Sequence, residues 1–313
     1  MMATPPGPGT AGGPQQVAPP CLPPHTRLFD RFEANELIGQ GGFGQIYKGV
    51  DRKTNRPVAI KVEPMWTPGD QLNDPRRIVI ENFVLVQLRG RRHIPVVYAS
   101  GRAYNGCAFI VMQYLGDNLT TLRKMRPMQK FTQSTAFRAG QQVTLALEHL
   151  HTIGFIHRDI KPSNCCVGLG KDIKTVYLVD FGMCRRWQIS GRARPPRAKA
   201  PFRGTIRYAS FRAMGQQECG PADDLVGWMF SIIELYLSQL PWAKAGDGFQ
   251  VAKQKAETST ADLCAAMPPA FQEIYDYLNE VPAEVMPDYL RVYRVLKACL
   301  PPGCQMTDKF DWE

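Results

Sequence analysis

The chain has 313 residues and a mass of 35.1 kDa, the size of one large two-lobed domain or of two domains. A hydrophobic fraction of 44% is enough for a sizeable core, which excludes a wholly disordered chain. A net charge of +10 favours anionic partners. Nucleic acid, acidic lipid and phosphate-bearing or acidic peptides all fit that charge.

The nine cysteines form no CxxC pair, and their number is odd and their spacing irregular. This pattern is typical of reduced thiols, so we expect a cytoplasmic and/or nuclear location. The N-terminus lacks the basic and apolar regions of a secretory signal. The most apolar stretch, residues 225–240, is too short to span a bilayer and predicts a buried helix.

Residues 1–27 are dominated by Pro and Gly and have little to bury. They predict a disordered leader, and a polyproline ligand for an SH3-like partner is the alternative. Residues 28–112 then predict a small lobe of sheet with one helix. Its strands are expected on both sides of a glycine turn within 31–50, at 56–63 and at 107–112, and its helix at 75–88.

From residue 117 the pattern turns to helix, with a hinge at 113–116. Apolar residues at alternating spacings of four and three predict a helix up to Leu150, with Thr132 or Ser134 as its N-cap. Short strands are expected at 165–168 and 176–179, and further helices at 225–240, 271–278 and 287–300. The predicted fold class is therefore α+β, with a β-rich lobe at 28–112 and a larger helical lobe at 117–313.

A glycine-rich loop lies in the first predicted hairpin and has the pattern G-x-G-x-x-G. It comprises Gly39, Gln40, Gly41, Gly42, Phe43 and Gly44. A strand pattern follows at 45–50, whereas the Rossmann dinucleotide motif requires a helix there, so that interpretation is excluded. The loop is either a plain tight hairpin or a cover over nucleotide phosphates, whose backbone N–H groups approach the ligand.

A lysine follows the loop on the third predicted strand, in the sequence V-A-I-K. Lys61 lies seventeen residues after Gly44, which favours a role as a phosphate ligand. Such a lysine needs a carboxylate to hold it. Glu81 on the next helix is the first candidate. Glu63 is the second, but it shares a strand face with Lys61 and is expected to be only a neighbour.

The segment H-R-D-I-K-P-S-N at 157–164 matches the protein-kinase catalytic loop in full. Asp159 is placed to accept the proton of an attacking hydroxyl, and Lys161 supplies a cation near the transferred phosphoryl group. Asn164 offers a neutral oxygen for a magnesium ion. The D-F-G tripeptide begins sixteen residues later at Asp180, which is expected to reach the same metal.

These motifs, in this order, identify a resemblance to eukaryotic protein kinases over about 28–313. Three further stretches resemble the casein kinase 1 superfamily and, within it, the tau-tubulin kinase branch: P-F-R-G-T-I-R-Y-A-S at 201–210, D-D-L at 223–225 and F-D-W at 310–312. Residues 225–228, L-V-G-W, depart from the L-W-S of that branch, which suggests a divergent member.

The resemblance implies a serine/threonine kinase that uses ATP and Mg²⁺, with Asp159 and Lys161 catalytic and Asn164 and Asp180 as metal ligands. Asp224 would brace the catalytic loop from below. The implied ATP-binding residues, with Met112 as gatekeeper and 113–115 as hinge, are Ile38, Gly39, Gln40, Gly41, Gly42, Phe43, Gly44, Ile46, Ala59, Lys61, Glu81, Met112, Gln113 and Leu115.

Eight Lys and Arg residues and no Asp or Glu lie in residues 185–207, which we call the basic segment. The resemblance implies an anion pocket at Arg203 and Arg207 that binds acidic or phospho-primed protein substrates. A solvated basic loop is the plainer alternative. Nucleic acid is disfavoured as a partner because the sequence shows no basic platform with interleaved aromatic residues. We expect a monomer, and a pseudokinase scaffold that binds partners without turnover is the rival function.

Overall fold

The computed structural model describes residues 20–41, 44–64 and 77–313. Its strands are β1 (Thr26–Leu28), β2 (Phe32–Gly41), β3 (Gly44–Asp51), β4 (Arg56–Glu63), β5 (Val97–Arg102), β6 (Ala108–Gln113), β7 (Phe155–Ile156), β8 (Cys165–Val167), β9 (Val176–Leu178), β10 (Arg185–Arg186), β11 (Gln188–Ile189) and β12 (Arg192–Ala193). Its α-helices are α1 (Arg77–Gln87), α2 (Leu119–Lys124), α3 (Gln133–Thr152), α4 (Phe211–Met214), α5 (Pro221–Leu237), α6 (Gly248–Glu257), α7 (Thr260–Cys264), α8 (Ala270–Glu280) and α9 (Tyr289–Ala298).

The first six strands form one antiparallel sheet in the order β1-β2-β3-β4-β6-β5. In its register, Lys61 on β4 lies between Ile46 on β3 and Ile110 on β6. The sheet, the helix α1 and the mainly helical remainder confirm the predicted α+β class with a small β-rich lobe and a larger helical lobe. The lysine of V-A-I-K is therefore in the middle of the sheet, where its position is fixed on both sides.

Residues 1–19 of the predicted leader lie outside the described residues, whereas residues 20–27 are packed onto the small lobe. Leu22 is completely buried against the sheet, and its backbone N–H donates to the hydroxyl of Tyr47. Thr26 pairs with Ala34 in the strand ladder. The boundary at residue 28 is therefore a correction, because Leu22 and the β1 strand complete one edge of the small lobe. The high proline and glycine content of residues 1–27 led to a prediction of disorder that included this short apolar segment.

The helical lobe is built around α5, which is buried along nearly its whole length. Its neighbours are α3 and α8, and Trp228 of α5 donates its indole N–H to the carbonyl of Gly140 on α3. Thr132 is the N-cap of α3, since its hydroxyl accepts from the backbone N–H of Thr135. This decides between the two candidate caps that the sequence offered.

The chain's last residues pack onto the start of α3. Asp311 accepts hydrogen bonds from the backbone N–H and the hydroxyl of Thr132. The Arg138 guanidinium donates to the carbonyls of Asp308 and Lys309 and lies 3.9 Å from the ring centroid of Phe310. The F-D-W segment is thus an integral part of the helical lobe.

The predicted strands and long helices are present within four residues of the expected bounds. The sequence did not predict β1, β5, β7, β10, β11, β12, α2, α4, α6 and α7, which are short or weakly periodic. Within the described part of the chain, no helix has the length and hydropathy needed to cross a bilayer.

Candidate active site

A cavity of about 390 Å³ lies between the sheet and the helical lobe. All the described residues among the implied ATP-binding residues line this cavity, from Ile38 on β2 to Leu115 after β6. Gly42 and Phe43 belong to that set and lie outside the described residues. Asn164 and Asp180 line the same cavity from the helical lobe. The structure therefore brings together residues that are up to 142 positions apart in the sequence, from Ile38 to Asp180.

Lys61 is held by two carboxylates. Its Nζ lies 2.6 Å from Oε2 of Glu81 and 2.8 Å from Oδ1 of Asp180. Burial alone would lower the pKa of Lys61, but the two carboxylates outweigh it and raise that pKa. Glu63, the alternative partner, instead accepts from the backbone N–H of Ile78 at the start of α1. The three-residue cluster thus ties the sheet, α1 and the D-F-G segment together.

Asp180 adopts a left-handed backbone conformation with φ 67° and ψ 65°. A non-glycine residue is strained there, and such strain is concentrated at functional sites. The next residue, Phe181, is buried and packs edge-on against His157, with ring centroids 5.3 Å apart. Burial acts to raise the pKa of Asp180, but Lys61 more than offsets it and lowers that pKa. Asp180 is therefore an anion aimed at the cavity.

The catalytic-loop residues form a hydrogen-bonded cluster beside the cavity. Lys161 Nζ donates to Oδ2 of Asp159 at 2.8 Å and to the Thr205 hydroxyl at 3.0 Å. The Thr205 hydroxyl donates to Oδ1 of Asp159 at 2.8 Å. The side-chain amide of Asn164 donates to the backbone carbonyl of Asp159 at 2.9 Å. A base and a cation are therefore oriented together by a threonine from the basic segment.

Asp224 braces this loop from below, as the resemblance implied. Its carboxylate accepts from the backbone N–H groups of His157 and Arg158 at 2.6 and 2.8 Å, and from Nε2 of His151 at 2.9 Å. Burial acts to raise the pKa of Asp224, but these donors outweigh it and lower the pKa. On its other side, His151 contacts the hydroxyl of Tyr289. The catalytic loop is thus linked to α9.

The two arginines of the predicted anion pocket have different surroundings. Arg203 lines a cavity together with Arg158, Asp159 and Thr205, and among the described residues no carboxylate lies within ion-pairing distance of it. Arg207 instead donates to the buried carboxylate of Glu234 and to the carbonyl of Ala243. Arg207 therefore supports the segment through the buried Glu234, and its place in the anion pocket stays a prediction.

Some residues that line the site were missed as site residues in the sequence. One of them is Thr205, whose hydroxyl forms hydrogen bonds with both Asp159 and Lys161. Besides Tyr114 and Gly116 of the predicted hinge, the cavity is lined by residues next to the recognised motifs, namely Asn118, Ser163, Cys166 and Val179. Only their proximity to those motifs could have indicated them.

The family model described as "Protein kinase domain" matches residues 32–287. The chain belongs to the protein kinase family. The kinase is 35% identical over 286 residues to a Dictyostelium discoideum protein named as a probable serine/threonine-protein kinase. The aligned region covers 90% of this chain and 56% of that protein. The kinase therefore spans little more than half the length of that relative.

Two relatives from Caenorhabditis elegans match over most of both chains. One, named as a casein kinase I, is 32% identical to the kinase over 93% of this chain and 85% of its own. The other is the serine/threonine-protein kinase spe-6, which is 31% identical over 92% of this chain and 77% of its own. These names support the serine/threonine class of protein kinases for this chain.

Proposed function

We propose that the protein transfers the γ-phosphoryl group of ATP to serine or threonine hydroxyls of protein substrates, as a member of the casein kinase 1 superfamily near its tau-tubulin branch. The observation that carries the proposal is the simultaneous presence of two assembled clusters. Lys61 is paired with both Glu81 and Asp180, and Asp159 is bonded to both Lys161 and Thr205. In protein kinases both the lysine–glutamate pair and the D-F-G aspartate must be in place for transfer.

The nucleotide fits the cavity between the lobes in size and in chemistry. About 390 Å³ is within the range of small-molecule sites, and the apolar side chains of Ile38, Ala59 and Met112 offer a surface for a planar base. Lys61 offers a cation for the phosphates at the inner end. The glycines at positions 39, 41 and 44 leave the backbone of β2 and β3 close to the ligand.

Asn164 and Asp180 are suited to hold magnesium, because both present oxygen atoms to the cavity and Mg²⁺ prefers oxygen ligands. The described residues contain no cluster of three or more His, Cys, Asp or Glu side chains that could bind a metal. The remaining ligands would then come from the nucleotide phosphates and water. When bound, Mg²⁺ neutralises charge on the phosphates.

The protein's own residues account for the other requirements of the reaction. Asp159 orients the substrate hydroxyl and accepts its proton, for which its carboxylate is held by Thr205 and Lys161. Lys161 stabilises the negative charge on the transferred group. The bond from Lys161 to Asp159 also fixes the direction in which the carboxylate points.

Acidic or phosphorylated residues near the target hydroxyl are the proposed substrate feature. Arg203 supports this, because it lies in a cavity with Asp159 and no described carboxylate pairs with it. All substrates, the monomeric state and the cytoplasmic and/or nuclear location stay predictions. The pseudokinase alternative is disfavoured, because the catalytic and metal-binding residues are all present and joined by the contacts described above.

The test compares the wild type with Asp159→Asn on arrays of acidic, phospho-primed, neutral and basic Ser/Thr peptides. We expect nucleotide binding to persist in the variant and kcat to fall by on the order of 10²–10⁴, the contribution of a positioned base. Wild-type preference should be greatest for acidic or primed peptides. If the wild-type protein bound nucleotide but phosphorylated no peptide on any array, the result would support the pseudokinase scaffold instead.

A further inference from the structure

A second cavity, of about 560 Å³, lies between α1 and the basic segment. It shares no lining residue with the nucleotide cavity. Its lining divides into an apolar part and a cationic part. We call this feature the α1 groove and define it by Val79, Ile80, Phe83, Phe155, Arg186 and Arg194.

The floor of the groove is an apolar face of α1 that is not covered by the core. Ile78, Val84 and Leu85 of this helix are buried, whereas Val79 is 60% exposed and Phe83 is 41% exposed. Val79 and Phe83 are four positions apart and share one face of the helix. Phe83 extends the surface by packing against Phe155, with ring centroids 5.9 Å apart. These side chains give the groove an apolar floor that the core leaves uncovered.

One wall of the groove is cationic. The guanidinium of Arg186 lies 4.7 Å from the ring centroid of Phe155 and 5.3 Å from that of Phe83. Among the described residues, no carboxylate is within ion-pairing distance of Arg186 or Arg194. The neighbouring arginines Arg185 and Arg197, by contrast, share Glu218. The groove therefore retains positive charge that its own surroundings do not neutralise.

A third arginine, Arg158, also lines the groove. A negatively charged ligand would complement these cations, and an apolar ligand alone would not. A bare anion, in turn, would make no use of Val79 and Phe83 on the floor. Only a ligand with both properties complements the whole lining.

We propose that the α1 groove is a docking site for an acidic segment of another protein that carries a bulky apolar anchor. The anchor would lie on Val79 and Phe83 beside Phe155. Carboxylates next to it would pair with Arg186 and Arg194 through charge-assisted hydrogen bonds. Arg203, the proposed ligand of acidic substrate residues, also lines the groove, whereas Asp159, Lys161, Asn164 and Asp180 do not.

The experiment uses the full chain without nucleotide and a fluorescent peptide rich in Glu and Asp around a central Phe-Leu pair. The peptide contains no Ser, Thr or Tyr, so it cannot be a phosphorylation substrate. We expect binding to weaken about tenfold for Val79→Glu and for Arg186→Glu, as for truncation of an interface anchor or of a paired charge. Replacement of the Phe-Leu pair by Gly-Gly should weaken wild-type binding by a similar factor.

Two variants control for general effects. Arg192→Glu reverses an exposed charge in the same hairpin as Arg194 but outside the groove lining, and Leu290→Glu alters an exposed apolar residue on α9. Both should bind the peptide as the wild type does. Equal weakening by Arg192→Glu and Arg186→Glu would overturn the proposal in favour of non-specific charge attraction. Binding unchanged by Val79→Glu or by the Gly-Gly replacement would also overturn it.

Two further outcomes separate this site from others. Displacement of the peptide by a non-hydrolysable ATP analogue would place it in the nucleotide cavity and overturn the proposal. Equal competition by single-stranded RNA and by the Gly-Gly peptide would show a general polyanion surface and overturn it too. Because no phosphoryl transfer is measured, a catalytically inactive protein can still bind the peptide, and an active one can fail to bind it.

Discussion

Arg207 lies with its Nη1 3.3 Å from Oε1 of Glu234, a carboxylate that is only 4% exposed. The adjacent Tyr208 donates its hydroxyl hydrogen to the other oxygen of the same carboxylate. Two consecutive residues of the chain are thus fastened to one buried acid on α5. Since Thr205 lies two residues before Arg207, this attachment also supports the hydroxyl that bonds Asp159.

Arg207→Ala is therefore expected to lower kcat/KM about tenfold for acidic and neutral peptides alike. The reason is that a buried charge loses a partner, so the attached segment loses its fixed position. Peptide kinetics with matched acidic and neutral sequences measure the effect. A selective loss for acidic peptides would contradict this expectation and support Arg207 as a ligand of acidic substrate residues.

Arg203→Ala is the complementary change. We expect kcat/KM to fall about tenfold for acidic or primed peptides and to change little for neutral ones, because a charge-assisted contact is worth about 1.5–3 kcal/mol where it is desolvated. The difference should shrink as the salt concentration rises. Identical kinetics of wild type and variant on primed peptides would exclude Arg203 as an anion ligand.

Glu81→Gln tests the carboxylate on α1. The amide keeps the size of the side chain but removes the charge that lies 2.6 Å from Lys61, so the lysine should shift towards Asp180. We expect kcat/KM for ATP to fall about 10–100-fold. The matched control is Glu63→Gln, which alters the alternative carboxylate and should leave ATP kinetics within about twofold. A larger loss for the Glu63 variant would reverse the assignment.

Glu218→Gln should destabilise the kinase in a pH-dependent way. Burial acts to raise the pKa of Glu218, but Arg185 and Arg197 outweigh it and lower the value to about 2. The folded pKa is below the unfolded one, so this stabilisation is complete above about pH 4.5 and disappears as the pH falls towards 2.

The free energy of unfolding of the variant should therefore be lower by about 2 kcal/mol near pH 7, with the difference vanishing in acid. Denaturant unfolding of wild type and variant across this pH range measures it. Glu284→Gln, at an exposed carboxylate, is the control and should show no such difference. A destabilisation by Glu218→Gln that persists at pH 2 would contradict the ion-pair explanation.

Tyr289→Phe tests the link from α9 to the catalytic loop. Burial raises the pKa of Tyr289, so its hydroxyl stays protonated and donates to His151, which in turn donates to Asp224. Removal of the hydroxyl leaves a buried ring nitrogen without its partner. We expect kcat to fall about threefold to tenfold while KM for ATP is unchanged.

The control is Tyr293→Phe on the same helix, whose hydroxyl donates to Glu148 and has no contact with Asp224. This variant should lose stability without a change in kcat. Equal effects of the two substitutions on kcat would mean that α9 acts only through general stability.

The nucleotide site could be predicted almost completely because its chemistry lies in short motifs. G-x-G-x-x-G, V-A-I-K, H-R-D and D-F-G each place one functional group at a fixed offset, and the strand that carries Lys61 was predicted with its observed bounds of 56–63. The choice of Glu81 over Glu63 followed from strand alternation. The structure agrees, with Nζ of Lys61 2.6 Å from Glu81.

The surroundings of the arginines could not be predicted in the same way. The basic segment has no acidic residue of its own, so nothing in the sequence indicated that some of its arginines are paired with carboxylates and others are not. Glu218 and Glu234 neutralise some of them from positions outside that window. Which arginine meets which carboxylate depends on packing between distant segments, and neither composition nor periodicity carries that information.

Residues 20–31 and 288–313 lie outside the family match at 32–287, yet Leu22, Tyr289 and Phe310 within them are buried in the lobes. A truncated protein that began at residue 32 would lose Leu22 and the strand β1. One that stopped at residue 287 would lose Tyr289 and the Phe310–Trp312 stack, whose ring centroids are 4.4 Å apart. Expression of a soluble, active fragment therefore depends on including residues 20–313, and affinity tags belong outside those limits.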